Sequence, residues 1–270
     1  MKRKKKKSTM TIVELTHSFL RVHDISALLK GNTFGAFKYQ MKKQAEAYAN
    51  KKVGKKEEVK KEGEKDREKE KLHIVNEQDV INEYKEKLQK EGAWQEVVNV
   101  YLGDAFEFLC EMIIKMYGDH PLIQIDPKSY EVINLDEDKG VDGFGIGQNG
   151  KVHTIQCKFK SDPTKPLTCN VNSLNNFTWH SVQPVEWGGF GVDINYRSPT
   201  SREETGGKLN MTIFHSCEEI HFISKGNWFQ GIREIALRHI ISFIDENDMF
   251  WNSFRESSKI SLENWLKDDE

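Results

Sequence analysis

The stretch from Val141 to Lys160, VDGFGIGQNGKVHTIQCKFK, constrains the fold more than any other part of the chain. Two runs that alternate apolar with other residues flank the turn Gly147 to Gly150, and that arrangement predicts a β-hairpin. Period-two alternation puts Ile155, Cys157 and Phe159 on one face of the second strand. Gln156, Lys158 and Lys160 fall on the other, which reads as a wet face. Across the hairpin, Asp142 meets residue 155, 156 or 157, depending on loop length. Only the pairing with 156 sets Asp142, Gln156 and Lys158 on one face. A two- or four-residue loop turns Asp142 away, so a shared face requires an odd loop, a bulge or a distorted strand end. The glycines at 143, 145 and 147 make such a distortion accessible.

The segments around the hairpin predict a mixed α/β sheet domain. Residues 93–120 read as a long buried helix. Short strands follow at LIQID (122–126) and YEVINL (130–135). After the hairpin come helical or loop material from Asn170 to Ser181 and a long Gly-, Ser-, Thr- and Pro-rich loop from Pro184 to Leu209. Strands NMTIFHSC (210–217) and EIHFIS (219–224) precede a helix from Asn227 to about Phe243. An aromatic C-terminal segment docks on the core.

The N-terminal part differs in composition. Residues 1–71 carry 21 Lys/Arg against 10 Asp/Glu, net +11; the remainder carries 19 against 32, net −13. This predicts a basic arm on an acidic body, with the boundary at 71/72. Within the arm, Ile12, Leu15, Phe19, Leu20, Ile25, Leu28 and Leu29 recur at helical spacing, and Gly31 is a stop signal. A second helix runs from Phe34 to about Asn50. Residues 51–71 are nearly pure charge and read as a linker or exposed helix. A further helix starts after Asn76, a fair N-cap. The opening run Lys2, Arg3, Lys4, Lys5, Lys6 and Lys7 suits contact with nucleic-acid phosphate or nuclear import; a solvated terminus is an equal reading.

Several classes are excluded. No apolar run approaches the roughly 20 residues that span a bilayer, and no apolar core follows the basic start as in a secretory signal. The four cysteines form no CxxC pair, which argues against zinc and for an intracellular chain with reduced thiols, cytoplasmic or, in a eukaryotic host, nuclear. His153 falls on the core-facing side of its strand. His215 and His221 lack a ligand partner at metal-binding spacing. Cys157 is a packing residue. Trp179, Trp228 and Trp251 read as core anchors, whereas Trp187, in a Gly-rich segment, can stack on a base.

Asp142, Gln156 and Lys158 have a specific chemical meaning if they share a face. A hard divalent cation takes oxygen ligands, and Asp142, the Gln156 amide and the Cys157 carbonyl can supply them. Lys158 beside them can hold a water and offset negative charge on a phosphate. The bland reading is a polar sheet face after an Asp-Gly turn.

The ordered set D-x-G-x-D (Asp138, Gly140, Asp142), hairpin, Q-x-K (Gln156, Lys158) resembles the PD-(D/E)XK restriction-endonuclease-like nucleases, closest to the Mrr-like branch in which Gln replaces the usual acid. The phrase IQCKF also resembles the nuclease domain that precedes some helicases. The likeness spans roughly residues 95–255. It departs from the pattern in carrying Val141 where a proline is common. It implies an upstream helical acid, for which GDAFEFLCEM offers Glu107, with Glu111 one turn later as the competing choice; a solvent-edge Glu or a partner for Lys115 is the plain alternative for Glu107. VNSLNNF and MTIFHSC sit where the family has its next helix and strand. The resemblance implies a restriction-endonuclease-like fold, Mg²⁺ or Mn²⁺, and endonucleolytic hydrolysis of DNA, with Lys160 and the basic run adding contacts to DNA. A homodimer and a helicase on a separate chain are further expected partners. The alternative function is a catalytically inactive DNA-binding or assembly module on the same fold.

Overall fold

The computed structural model describes residues 10–25, 29–64, 92–133, 140–169, 171–193, 210–222 and 232–268. The basic run 2–7, Leu28, the helix expected after Asn76, Asp138, Trp228 and most of the loop expected at 184–209 lie outside the described residues. The chain divides into two compact units, one of residues 1–37 and 105–270 and the other of residues 38–104. The expected boundary at 71/72 lies outside the described residues.

The larger unit is built on a five-stranded mixed sheet. Its strands are β1 (Glu131–Val132), β2 (Gly143–Ile146), β3 (Val152–Lys158), β5 (Met211–His215) and β7 (Arg233–Ile235), in the order β1-β2-β3-β5-β7. β1, β2 and β3 pair antiparallel; β5 and β7 continue the sheet parallel to β3. A separate parallel pair joins β4 (Leu167–Cys169) to β6 (Ile220–Phe222). The expected strand at 122–126 is reduced to a single bridge between Ile125 and Gly147. β7 falls within the expected helix 227–243, whose described helical part is α5 (Leu237–Ile244).

Helices cover both faces of the sheet. α3 (Ala93–Tyr117) lies on the face of Cys157 and Phe159: the Phe106 and Phe159 rings are 5.8 Å apart, and the free thiols of Cys110 and Cys157 are hydrogen-bonded. α4 (Val171–Val182) lies on the opposite face, where Leu174 and Phe177 pack with Met211 and Ile213. β3 is therefore a central strand, and the wet face expected of it is a correction: Thr154 is fully buried and Gln156 is 1% exposed. Their polar atoms find partners inside, Thr154 Oγ1 with Ser181 Oγ at 2.8 Å and Gln156 Nε2 with the Gly140 carbonyl at 2.8 Å. The C-terminal helix α6 (Asp248–Asp268) docks through buried Phe250, Trp251 and Phe254, the last tilted against Phe108 with ring centroids 5.0 Å apart.

The helix expected through residues 12–20 does not form. Residues 10–17 are extended, and only α1 (Phe19–Val22) is helical. The N–H groups of Thr11, Val13 and Leu15 donate to the hydroxyls of Ser253, Ser257 and Ser261 at 3.0, 3.0 and 3.2 Å. The two spacings match. Four helical residues advance about 6.0 Å and two extended residues about 6.6 Å, so every second N–H meets every fourth side chain. Leu15 and His17 are buried, whereas Ile12, Glu14 and Thr16 are exposed. This alternation, not the helical spacing of apolar residues, was the informative signal.

In the smaller unit, described by itself, α2 (Phe34–Glu64, entering from the first unit and longer than expected) and the start of α3 pack through Tyr48 and Tyr101, 5.8 Å between rings. Trp94 Nε1 donates to Asn50 Oδ1 at 3.2 Å. Among the described residues no helix is long and apolar enough to cross a membrane.

Ser257→Ala leaves the Val13 N–H without its acceptor at a part-buried site. The expected loss is about 1–3 kcal/mol in urea unfolding. An unchanged midpoint would show that the ladder adds nothing to stability.

Candidate functional site

The β2–β3 hairpin fixes the geometry. Gly143 pairs with Ile155 and Ile146 with Val152, and Gly147 N–H donates to the Lys151 carbonyl at 2.7 Å. Three residues, 148–150, remain in the turn, and Gly150 takes the left-handed φ of 72° that closes such a loop. The loop is odd. The regular register stops at Gly143: Asp142 N–H donates to the carbonyl of Ile155, which already pairs with Gly143, so two residues of the first strand face one of the second and alternation lapses at Asp142, while Gln156 and Lys158 share one face of β3.

The strand start after Asp142 is held close to the core. A Cβ at Gly143 would lie 2.2 Å from Tyr130 Oη, so only glycine admits the tyrosine beneath it. Asp142 N–H donates to the Ile155 carbonyl at 2.9 Å, and Asp142 Oδ2 accepts the Cys157 N–H at 2.5 Å. The carboxylate is thus anchored to β3 by main chain on both sides.

Gln156 is unusual. Its Nε2 is spent on the Gly140 carbonyl, which fixes the orientation of the amide. Its Oε1 is then buried with no hydrogen-bond partner. A buried amide oxygen left unpaired costs roughly 1–3 kcal/mol, a cost that a cation ligand would remove. Lys158 is half-buried, and no side-chain hydrogen bond or ion pair engages its ammonium among the described residues. Across the parallel pairing, its neighbour is His215, fully buried with Nε2 2.9 Å from Glu234 Oε1. His215, read from sequence as lacking a ligand partner at metal-binding spacing, meets an acid from the adjacent strand. Nothing in the local sequence announces this, because Glu234 lies beyond a long loop. His221 is exposed and meets Glu219 at 3.3 Å.

The two helical acids separate clearly. Glu111 is fully buried. It accepts Thr16 N–H at 2.7 Å, Thr16 Oγ1–H at 3.0 Å and His17 N–H at 3.1 Å. Burial raises its pKa against the pull of those donors. It anchors the N-terminal segment. Glu107 is partly exposed, 24% at the side chain, and its Oε2 meets His17 Nε2 at 3.2 Å. Lys115, the plain partner considered for Glu107, instead donates to the Tyr130 carbonyl at 2.8 Å. The Glu107 and Asp142 carboxylates both disfavour ionisation of the Cys110 and Cys157 thiols. Burial is the larger cause of those raised pKa values, so Cys157 is no nucleophile. Lys160 Nζ donates to the Pro166 carbonyl at 2.7 Å.

Among the described residues no group of three or more His, Cys, Asp or Glu side chains is arranged to hold a metal ion. Glu107 and Asp142 both act on the Cys110 and Cys157 thiols, and carboxylates together with a neutral amide oxygen are donor types that suit a hard cation. Trp187, on a short 3-10 turn (Val185–Trp187), is 71% exposed, and Trp179 on α4 is 61% exposed rather than a core anchor. No family model matches the chain, and no curated protein is found similar to it.

His153, on the opposite face of β3, is buried with Nε2 2.8 Å from Thr212 Oγ1. Burial, then the Arg233 charge, lowers its pKa to about 3. A folded value below the unfolded one, about 6.5, means stability is present above pH 6.5 and is lost as pH falls from there towards 3. Urea unfolding is expected to weaken over pH 6.5–5 by up to about 1.4 kcal/mol per pH unit from this group. His153→Gln should flatten that slope; an identical slope would assign it to other histidines.

Proposed function

We propose that the protein is a metal-dependent endodeoxyribonuclease of restriction-endonuclease-like fold, hydrolysing DNA phosphodiester bonds. The observation that carries this reading is the bond from Cys157 N–H to the Asp142 carboxylate, which seats that acid against β3 at the residue between Gln156, whose Oε1 is buried and unpaired, and Lys158. The order of elements supports it: a helix with a candidate acid, three antiparallel strands, a helix, then a strand parallel to the third.

Asp142 and Glu107 would hold Mg²⁺ or Mn²⁺, with the Gln156 amide and the Cys157 carbonyl as neutral ligands. A bound cation acidifies a coordinated water and offsets phosphate charge. Lys158, whose ammonium is unengaged among the described residues, would donate to the attacking water or a phosphate oxygen and stabilise charge as it develops. The main-chain bonds to Asp142 keep its carboxylate still while this happens. The basic run 2–7 would meet the DNA backbone. Lys160, tied to Pro166, would add positive charge at a fixed place. Such an enzyme acts inside the cell, in cytoplasm or nucleus, and a homodimer or a separate helicase chain are partners consistent with it.

A second reading is a non-catalytic DNA-binding or assembly module on the same fold. Two observations favour it: Gln156 is almost fully buried, and no cluster of three His, Cys, Asp or Glu side chains is found among the described residues. Incubation of the protein with supercoiled plasmid in Mg²⁺, Mn²⁺ or EDTA separates the two readings. Metal-dependent nicking supports the nuclease; DNA binding without nicking in either metal supports the module.

Lys158→Ala is expected to lower cleavage by about 10²-fold or more with DNA binding and thermal unfolding nearly unchanged. Wild-type turnover would remove Lys158 from the chemistry. Asp142→Asn, nearly isosteric, is expected to weaken Mn²⁺ binding in calorimetric titration. Unaltered affinity would move the cation elsewhere.

A further inference from the structure

We infer that His17 is a positioning residue for the Glu107 carboxylate, so that the N-terminal segment forms part of the proposed site. The inference rests on the nuclease reading, because it takes Glu107 as a cation ligand.

The tautomer of His17 follows from its contacts. Nδ1 accepts the Phe19 N–H at 3.1 Å, so this nitrogen carries a lone pair. Nε2 then carries the proton of the neutral ring and donates it to Glu107 Oε2 at 3.2 Å. The ring is 3% exposed and lies edge-on to Phe19 at 6.4 Å. Its backbone is clamped independently: Glu111, one helical turn beyond Glu107, accepts the His17 N–H, and the residue before it adds two more donors. Two glutamates at i and i+4 on α3 therefore grip one histidine, one by its main chain and one by its side chain. Upstream, the Ser253, Ser257 and Ser261 hydroxyls hold the segment that delivers it.

The effect is on orientation. Alone, Glu107 is a partly exposed helical side chain with free rotamers. A donor fixed on Oε2 restricts the rotamers open to that carboxylate. Partners outside the ligand shell that fix a ligating group typically contribute 10–100-fold in metal affinity or activity. Ser257 and Glu111 hold the segment; His17 couples it to the site.

Two substitutions separate positioning from packing. His17→Asn keeps an acceptor near the Nδ1 place for Phe19 N–H but has no donor that reaches Glu107. His17→Gln places a donor near the Nε2 position. Mn²⁺ affinity by calorimetry and the kcat and KM of plasmid cleavage are measured on both, on Glu107→Gln and on the His17→Asn/Glu107→Gln double variant. The expected result is a 10–100-fold loss of Mn²⁺ affinity and of kcat in His17→Asn, little change in KM for DNA, substantial recovery in His17→Gln, and no further loss in the double variant over Glu107→Gln. Should His17→Asn not fold, Glu111→Gln loosens the same residue from its backbone side and is expected to weaken Mn²⁺ binding; unchanged affinity there overturns the inference. Wild-type affinity and kcat in a folded His17→Asn, while Asp142→Asn abolishes both, overturn the positioning role and leave the nuclease reading standing. A wild-type protein that neither binds Mn²⁺ nor cleaves overturns both.

Discussion

The register of one hairpin governs the rest. With three residues in the turn, Gly143 meets Ile155, and Asp142 N–H meets the same Ile155 carbonyl, so the first strand bulges where Asp142 Oδ2 takes the Cys157 N–H. A turn one residue longer or shorter would invert every side chain of β2 relative to β3 and break both bonds. The turn, the close approach of Tyr130 to Gly143 and the Asp142 bond to Cys157 N–H all oppose a slip. Ordinary packing physics therefore holds together a set of side chains with the composition of a cation site.

The sheet then sorts its polar groups by face. On the α4 side run Thr154, Gln156, Lys158, His215 and Glu234, with Thr154, Gln156 and His215 buried; on the α3 side run His153, Cys157 and Phe159. The parallel strands β3, β5 and β7 end together at Lys158, His215 and Ile235. The carboxyl end of parallel strands is where open α/β sheets leave a crevice. A buried His–Glu pair beside Lys158 gives that end a second polar element.

Some of this was legible in the sequence. The hairpin and its turn, the long helix carrying Glu107, and the strand at 211–215 follow from period and turn chemistry, and so does the requirement for an odd loop, a bulge or a distorted strand end at Asp142. Other features were not. The burial of Gln156 depends on α4 covering β3, which period alone cannot state, since a polar residue satisfied by a backbone carbonyl looks like a surface residue. The extended segment 10–17 was hidden because its apolar residues also fit a helix; its hydrogen-bond acceptors lie about 240 residues away, on α6. His17 was hidden in the same way, with its partners Glu107 and Glu111 at sequence separations of 90 and 94. The choice between Glu107 and Glu111 needed coordinates, because the two acids share a helix face and differ only in what the N-terminal segment does to each.

The central claim is that Asp142 and Gln156 together hold a divalent cation. The most direct measurement is anomalous diffraction at the manganese edge from crystals grown with Mn²⁺. The account predicts a peak within about 2.0–2.6 Å of both the Asp142 carboxylate and Gln156 Oε1, with the Gln156 Nε2 bond to Gly140 retained. A map with manganese elsewhere, or with Gln156 Oε1 satisfied by a protein donor and no cation beside Asp142, would contradict it.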